Sequence, residues 1–162
     1  LHSFPTRRSS DLASGILDAR NTLTQRTEGP DCTCETAVLT AGMKNGDFAG
    51  LVALQSNFGT VGVKMEENKK YIVMSDKTGE LESVELKGDK AYVKIYFDYE
   101  DSRDIAEFFY SEDGESWKRI GKELKMLYTL DHFMGYRIGL YNYATKSLGG
   151  YADFEYFGYK RG

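Results

Sequence analysis

Period-two alternation recurs along the chain from residue 13 to its end. Cys32, Cys34, Thr36, Val38 and Thr40 alternate with Thr33, Glu35, Ala37 and Leu39. Tyr92, Lys94, Tyr96 and Asp98 alternate in the same way with Val93, Ile95, Phe97 and Tyr99. Successive strand side chains point to opposite faces, so this pattern predicts half-buried strands. Residues 48–54 (FAGLVAL) form a nearly continuous apolar run instead, which predicts a central strand covered on both faces. Shorter strand patterns follow at 61–65, 71–74 and 81–86, with the polar group Glu66-Glu67-Asn68-Lys69 as a turn. Residues 106–111 (AEFFYS) run through Asp113-Gly114 to Trp117–Ile120, a hairpin signal in which the glycine supplies the positive-φ position. Two late strands, 135–143 and 150–157, flank the loop ATKSLGG. The stretch 100–109 (EDSRDIAEFF) is too short and uncapped for a helix and reads as a loop entering a strand. About a dozen short strands with regular turn signals predict an all-β fold, a single-domain antiparallel β-sandwich or jelly roll.

Composition narrows the functional classes. The chain has 162 residues, room for one domain with a sizeable core. Tyr (12) and Gly (17) are abundant while Pro is scarce (2), in keeping with strands joined by tight turns. The net charge is −4, and an acidic surface with scattered lysines argues against a nucleic-acid partner. No apolar run approaches the roughly 20 residues of a membrane-spanning helix, so no membrane partner is expected. Cys32 and Cys34, two apart in a strand, point the same way. A disulfide at that spacing needs backbone distortion, and two small buried side chains are the simpler expectation.

Little in the sequence announces catalysis. No nucleophile elbow, metalloprotease helix, paired-cysteine motif or phosphate-binding loop is present. His132 stands beside Asp131 and Phe133 in a loop, where a lone histidine is a surface residue more often than a general base. Asp98, Glu100, Asp101 and Asp104 form an acidic turn. A structural calcium there is the one cofactor to consider, but the spacing matches no fixed ligand pattern, and no other metal or cofactor is expected. Trp117, just past its turn, either packs over the hairpin or offers a face for stacking a sugar ring.

Four ordered motifs then stand out together: ARNTLTQRTEGP (19–30), GMKNGDFAGLVALQSNFGTVGVK (42–64), FYSEDGESWKRIG (109–121) and HFMGYRIGLYNYATKSLGGYADFEYF (132–157). They resemble the C-terminal concanavalin A-like β-sandwich of family-43 glycoside hydrolases, the β-xylosidases and arabinofuranosidases of bacterial xylan degradation. The resemblance implies an ancillary domain, inactive alone, packed on a catalytic five-bladed β-propeller of the same parent chain. That propeller carries an Asp general base, a Glu general acid and a second Asp that tunes the acid, and hydrolysis is inverting. The partner ligand implied is a xylo- or arabino-oligosaccharide. In some members an aromatic side chain of the sandwich reaches the rim of the substrate pocket. The matching Phe-x-Gly falls on Phe133-Met134-Gly135, which makes Phe133, with His132, the candidate rim. An independent carbohydrate-binding module for xylan-type oligosaccharides is the alternative. The parent is expected to be periplasmic, secreted or cytoplasmic.

The leading stretch LHSFPTRRSSDL fits none of this. It has no apolar region for a secretory signal and too few arginines for a nucleic-acid arm. Residues 2–11 resemble the in-frame translation of a common short-read sequencing adapter, whose last two bases are compatible with Leu12. The expectation is that 1–12 is an assembly artefact, disordered and packed on nothing, and that 13–162 is the sandwich without its first strand or strands.

Overall fold

The computed structural model describes residues 2–5, 12–127 and 135–162. Among them, thirteen strands are present: β1 (His2–Pro5), β2 (Thr22–Arg26), β3 (Asp31–Leu39), β4 (Asp47–Leu54), β5 (Gly59–Glu66), β6 (Lys69–Asp76), β7 (Gly79–Glu85), β8 (Lys90–Asp98), β9 (Ile105–Ser111), β10 (Lys118–Arg119), β11 (Leu124–Lys125), β12 (Arg137–Ala144) and β13 (Tyr151–Arg161). They build two antiparallel sheets. The first runs β1-β13-β3-β8-β9-β10, with β11 also on β9; the second runs β2-β12-β4-β5-β6-β7. This is the all-β sandwich that the alternation predicts.

The core lies between the sheets. Cys34, Val38, Val93, Ile95, Phe97 and Phe108 of the first sheet meet Leu51, Val61, Val63, Ile72, Met74 and Ile138 of the second, all fully buried. Cys32 and Cys34 are free thiols in this layer, and burial pushes both thiol pKa values up. The β5–β6 turn falls on Glu67-Asn68, both at positive φ (48° and 62°), the backbone of a tight two-residue hairpin. Glu100–Ser102 is a 3-10 turn leading into β9, as the loop reading of 100–109 requires.

The centre of the second sheet is buried on its outer face as well. Gly50 of β4 lies opposite Gly62 of β5, and Tyr141 of β12 lies beside Gly50. A Cβ on Gly62 would stand 2.2 Å from the Ala49 carbonyl oxygen and 2.7 Å from Tyr141 Oη, so the tyrosine ring crosses the slot that the two glycines leave open. Ile16 and Ala19, from the segment before β2, close over Tyr141 and Val52. Burial pushes the Tyr141 phenol far above its ordinary range. The unbroken apolar run 48–54 has its explanation here, since every position of β4 except Phe48 and Leu54 is buried.

One expectation needs correction. Residues 1–12 were expected to pack on nothing, yet the backbone of His2–Pro5 pairs with β13, from His2↔Phe154 to Pro5↔Tyr151. Leu12 also forms an isolated parallel bridge to Ala144. The physical reason is that β13 offers a row of unpaired N–H and C=O groups at its edge, and any extended segment within reach satisfies them.

The glycine slot is testable. Gly62→Ala should cost about 1–3 kcal/mol, because the new methyl meets backbone rather than a movable side chain. That is a fall of roughly 2–10 °C in Tm. Gly88→Ala, where a Cβ meets nothing within 4 Å, should leave Tm unchanged. Thermal melts by circular dichroism distinguish the two, and equal Tm values would contradict the slot.

Candidate functional site

Two surfaces bring chemistry-bearing side chains together. The first is an open groove at the end of the sandwich, lined by Thr27, Tyr99, Ser102, Asp104, Gly135 and Tyr136. Its floor is a hydrogen-bonded chain. Thr27 Oγ1 donates to the Tyr136 carbonyl (2.8 Å), so the 2.6 Å contact between Tyr99 Oη and Thr27 Oγ1 has the tyrosine as donor. Tyr136 Oη donates to the Asn57 carbonyl (2.6 Å) and lies 3.4 Å from the Leu127 amide as its acceptor. Burial raises the pKa of that phenol, so it stays a neutral donor. The Tyr99 ring stacks on Phe97 at 6.4 Å.

The far wall is the loop after β8. Asp98 Oδ1 accepts from the Glu100 amide (3.0 Å), while Oδ2 pairs with Arg103 Nη1 (2.9 Å), and Arg103 Nη2 pairs with Glu100 (3.0 Å). Asp101, Ser102 and Asp104 all hold positive φ (47°, 58° and 46°), a conformation that costs non-glycine residues energy. The Asp98 and Glu100 carboxylates considered for calcium are therefore engaged by Arg103. Among the described residues no three His, Cys, Asp or Glu side chains gather as a metal-binding group. His132 and Phe133 lie outside the described residues; the next described residue, Gly135, lines the groove.

The second surface is the outer face of the first sheet, and Trp117 belongs to it. The hairpin turn before it is tied down by Asp113, whose Oδ1 accepts from Ser111 Oγ (2.8 Å) and from the amides of Glu115 (2.8 Å) and Ser116 (2.7 Å). Those amide hydrogen bonds hold the Asp113 carboxyl far below the ordinary carboxylate range. Gly114, at φ 81°, lies where a Cβ would touch the Tyr92 ring at 3.0 Å, so the turn sits directly on β8. This geometry lays Trp117 over Lys94, with Nζ 4.0 Å from the ring centroid, and Phe109 approaches the same amine at 5.2 Å. Such contacts are worth about 0.5–2 kcal/mol, rising as the cation loses water. Burial lowers the Lys94 pKa, with the nearby Glu35 opposing it.

Sequence reasoning singled out Trp117 and the 98–104 turn but missed Lys94, Thr27, Tyr99 and Tyr136. Lys94 and Tyr96 were already on the outward side of the alternation in 90–98. The groove residues had no sequence signal, because they come from three segments far apart in the chain.

Comparison with known proteins places the whole domain in a family. Residues 7–160 match the β-xylosidase C-terminal concanavalin A-like domain. The chain belongs to this family. A β-xylosidase of Formosa agariphila is 32% identical over 151 residues, covering 90% of this chain and 24% of that protein. A bifunctional family-43 and carbohydrate-esterase protein of Bacteroides eggerthii is 47% identical, with a TM-score of 0.92 over 98% of this chain and 20% of that one. A family-43 glycoside hydrolase engineered for both endo-xylanase and exo-arabinofuranosidase activity is 27% identical, with a TM-score of 0.88 over 98% of this chain and 34% of that one. This β-xylosidase-type C-terminal domain therefore spans about a fifth to a third of the longer chains it matches.

The Asp113 turn yields a pH test. A carboxyl whose folded pKa is depressed adds stability above its unfolded pKa, near 3.8, and loses it as pH falls toward the folded value. Asp113→Asn should therefore lower Tm at pH 6, and the gap to the unmodified chain should close as pH drops below about 3. A Tm gap independent of pH would contradict the assignment.

Proposed function

We propose that this chain is the ancillary C-terminal domain of a xylan-degrading family-43 glycoside hydrolase of β-xylosidase or arabinofuranosidase type. In this reading it packs against a catalytic five-bladed β-propeller of the same parent chain and lends Phe133, with His132, to the rim of its substrate pocket. The observation that carries the reading is the family match over residues 7–160 of a chain that aligns with only a minor part of longer family-43 enzymes. The geometry supports it. Both roots of the 128–134 segment are anchored on one buried phenol, since Tyr136 Oη contacts the Leu127 amide and the Asn57 carbonyl. Leu127 is 48% exposed at that root and Leu23 is 64% exposed on the edge strand β2, which leads through Arg26 to Thr27 in the groove. Large apolar side chains left bare beside a groove are what an interdomain contact covers.

The propeller supplies the acid and base carboxylates, and the sandwich supplies shape. Phe133 closes the pocket mouth behind a short substrate, so that binding energy orients the glycosidic bond for attack by water. A second reading, an independent carbohydrate-binding module, draws on the aromatic face around Trp117, and retardation of the isolated chain by neutral arabinoxylan would favour it.

Phe133→Ala in a full-length parent enzyme should reduce kcat/KM on xylobiose about tenfold, some 1.4 kcal/mol of lost transition-state stabilisation. Aryl-xyloside cleavage, which fills fewer subsites, should change less. Steady-state kinetics on both substrates make the comparison, and unchanged xylobiose kinetics would overturn the rim assignment.

A further inference from the structure

The outer face of the first sheet has a composition that packing alone does not require. Across β3, β8 and β9 one outward row reads Glu35, Lys94, Phe109. The neighbouring outward positions of β8 are Tyr92 and Tyr96, and Trp117 descends on the row from the Asp113 turn. On the other side, Gly158 of β13 lies opposite Glu35, and with no side chain there Tyr156 leans in and donates its hydroxyl to Glu35 Oε1 (3.3 Å).

The charges on this face are unequally matched. Glu35 has the Tyr156 hydroxyl. Lys90 is paired with Glu155 (2.9 Å), and Arg119 is paired with Glu107 (3.0 Å) and Glu123 (3.6 Å). Lys94 forms no ion pair among the described residues, its cross-strand neighbour Glu35 acting on it only at longer range; its amine is held between two aromatic rings. Rings favour a cation but accept none of its three N–H hydrogens in a directed way, so the amine keeps donors to offer an incoming oxygen anion. The half-buried Tyr92, Tyr96 and Trp117 around it present flat edges and faces of the kind that C–H surfaces of a sugar ring cover.

We infer that this face is a binding site for a carboxylate-bearing sugar, a uronic acid branch on a xylan chain, with the Lys94 amine pairing the carboxylate and Trp117 with the flanking tyrosines holding the ring. The choice of xylan as the backbone rests on the function proposed above; the carboxylate contact does not. The site is separate from the groove, since Lys94 lies five residues along β8 from Tyr99, roughly 16 Å in an extended strand. A branched chain held here therefore lies across the sheet while its end is free to reach the groove.

The test is affinity electrophoresis of the 162-residue chain in gels carrying glucuronic-acid-substituted xylan, the same xylan with its carboxyl groups reduced to alcohols, and polygalacturonate. Trp117 is the single tryptophan, so its emission gives an independent titration with the same polysaccharides. The acidic xylan should retard the chain and the reduced xylan should do so at least tenfold more weakly. Lys94→Met, which keeps the aliphatic stem between the rings, should weaken binding tenfold or more while the fold survives with a Tm only a few degrees lower from the lost cation–π contacts, and Lys94→Arg should retain most of the binding. Equal retardation by acidic and reduced xylan, or wild-type binding by Lys94→Met, would overturn the site. Retardation by polygalacturonate alone would keep the carboxylate site and overturn the xylan assignment, whereas failure of the Phe133 test leaves all of these outcomes as they stand.

Discussion

The centre of the second sheet, around β4, is buried on both faces, and the rest of the molecule is arranged around that constraint. Its inner face needs the first sheet. Its outer face is closed by Tyr141 lying across Gly50 and Gly62 and by the Ile16 segment over Val52. Two glycines opposite each other weaken a sheet by loss of side-chain contact, and an aromatic ring from the next strand restores the burial. The half-buried aromatic and charged side chains lie instead at the strand ends and on the outer face of the first sheet, among them Tyr92, Lys94, Tyr96 and Phe109.

Those two surfaces are rigid for different reasons. At the groove, the Thr27 hydroxyl joins Tyr99 to the Tyr136 carbonyl, so the 27–30, 99–104 and 135–136 segments cannot shift independently. At the sheet face, one carboxylate oxygen of Asp113 takes three hydrogen bonds and fixes the turn that delivers Trp117. Both arrangements orient side chains outward.

Much of this was legible in the residues. Alternation in 32–40 and 92–99 has the right period, the unbroken run 48–54 marks the strand buried on both sides, and Asp113-Gly114 marks the hairpin. Family motifs add the concanavalin A-like identity. What the sequence hides is long-range. Tyr141 and Gly62 are 79 positions apart, and Thr27 meets Tyr136 across 109, so no local pattern predicts either contact. The edge pairing of His2–Pro5 was missed for a different reason. Backbone hydrogen bonds form without regard to side-chain identity, so composition alone is a poor guide to whether an extended segment will join an open edge.

The central claim is that the chain works as the partner of a catalytic domain. It is tested most directly by mixing the 162-residue chain with a separately produced catalytic domain of the Bacteroides eggerthii family-43 protein, freed of its own C-terminal sandwich, in sedimentation velocity with aryl-xyloside hydrolysis followed in parallel. A one-to-one complex with hydrolysis present only where the catalytic domain is present is the predicted result. Independent sedimentation of the two proteins, together with hydrolysis by the 162-residue chain alone, would contradict it.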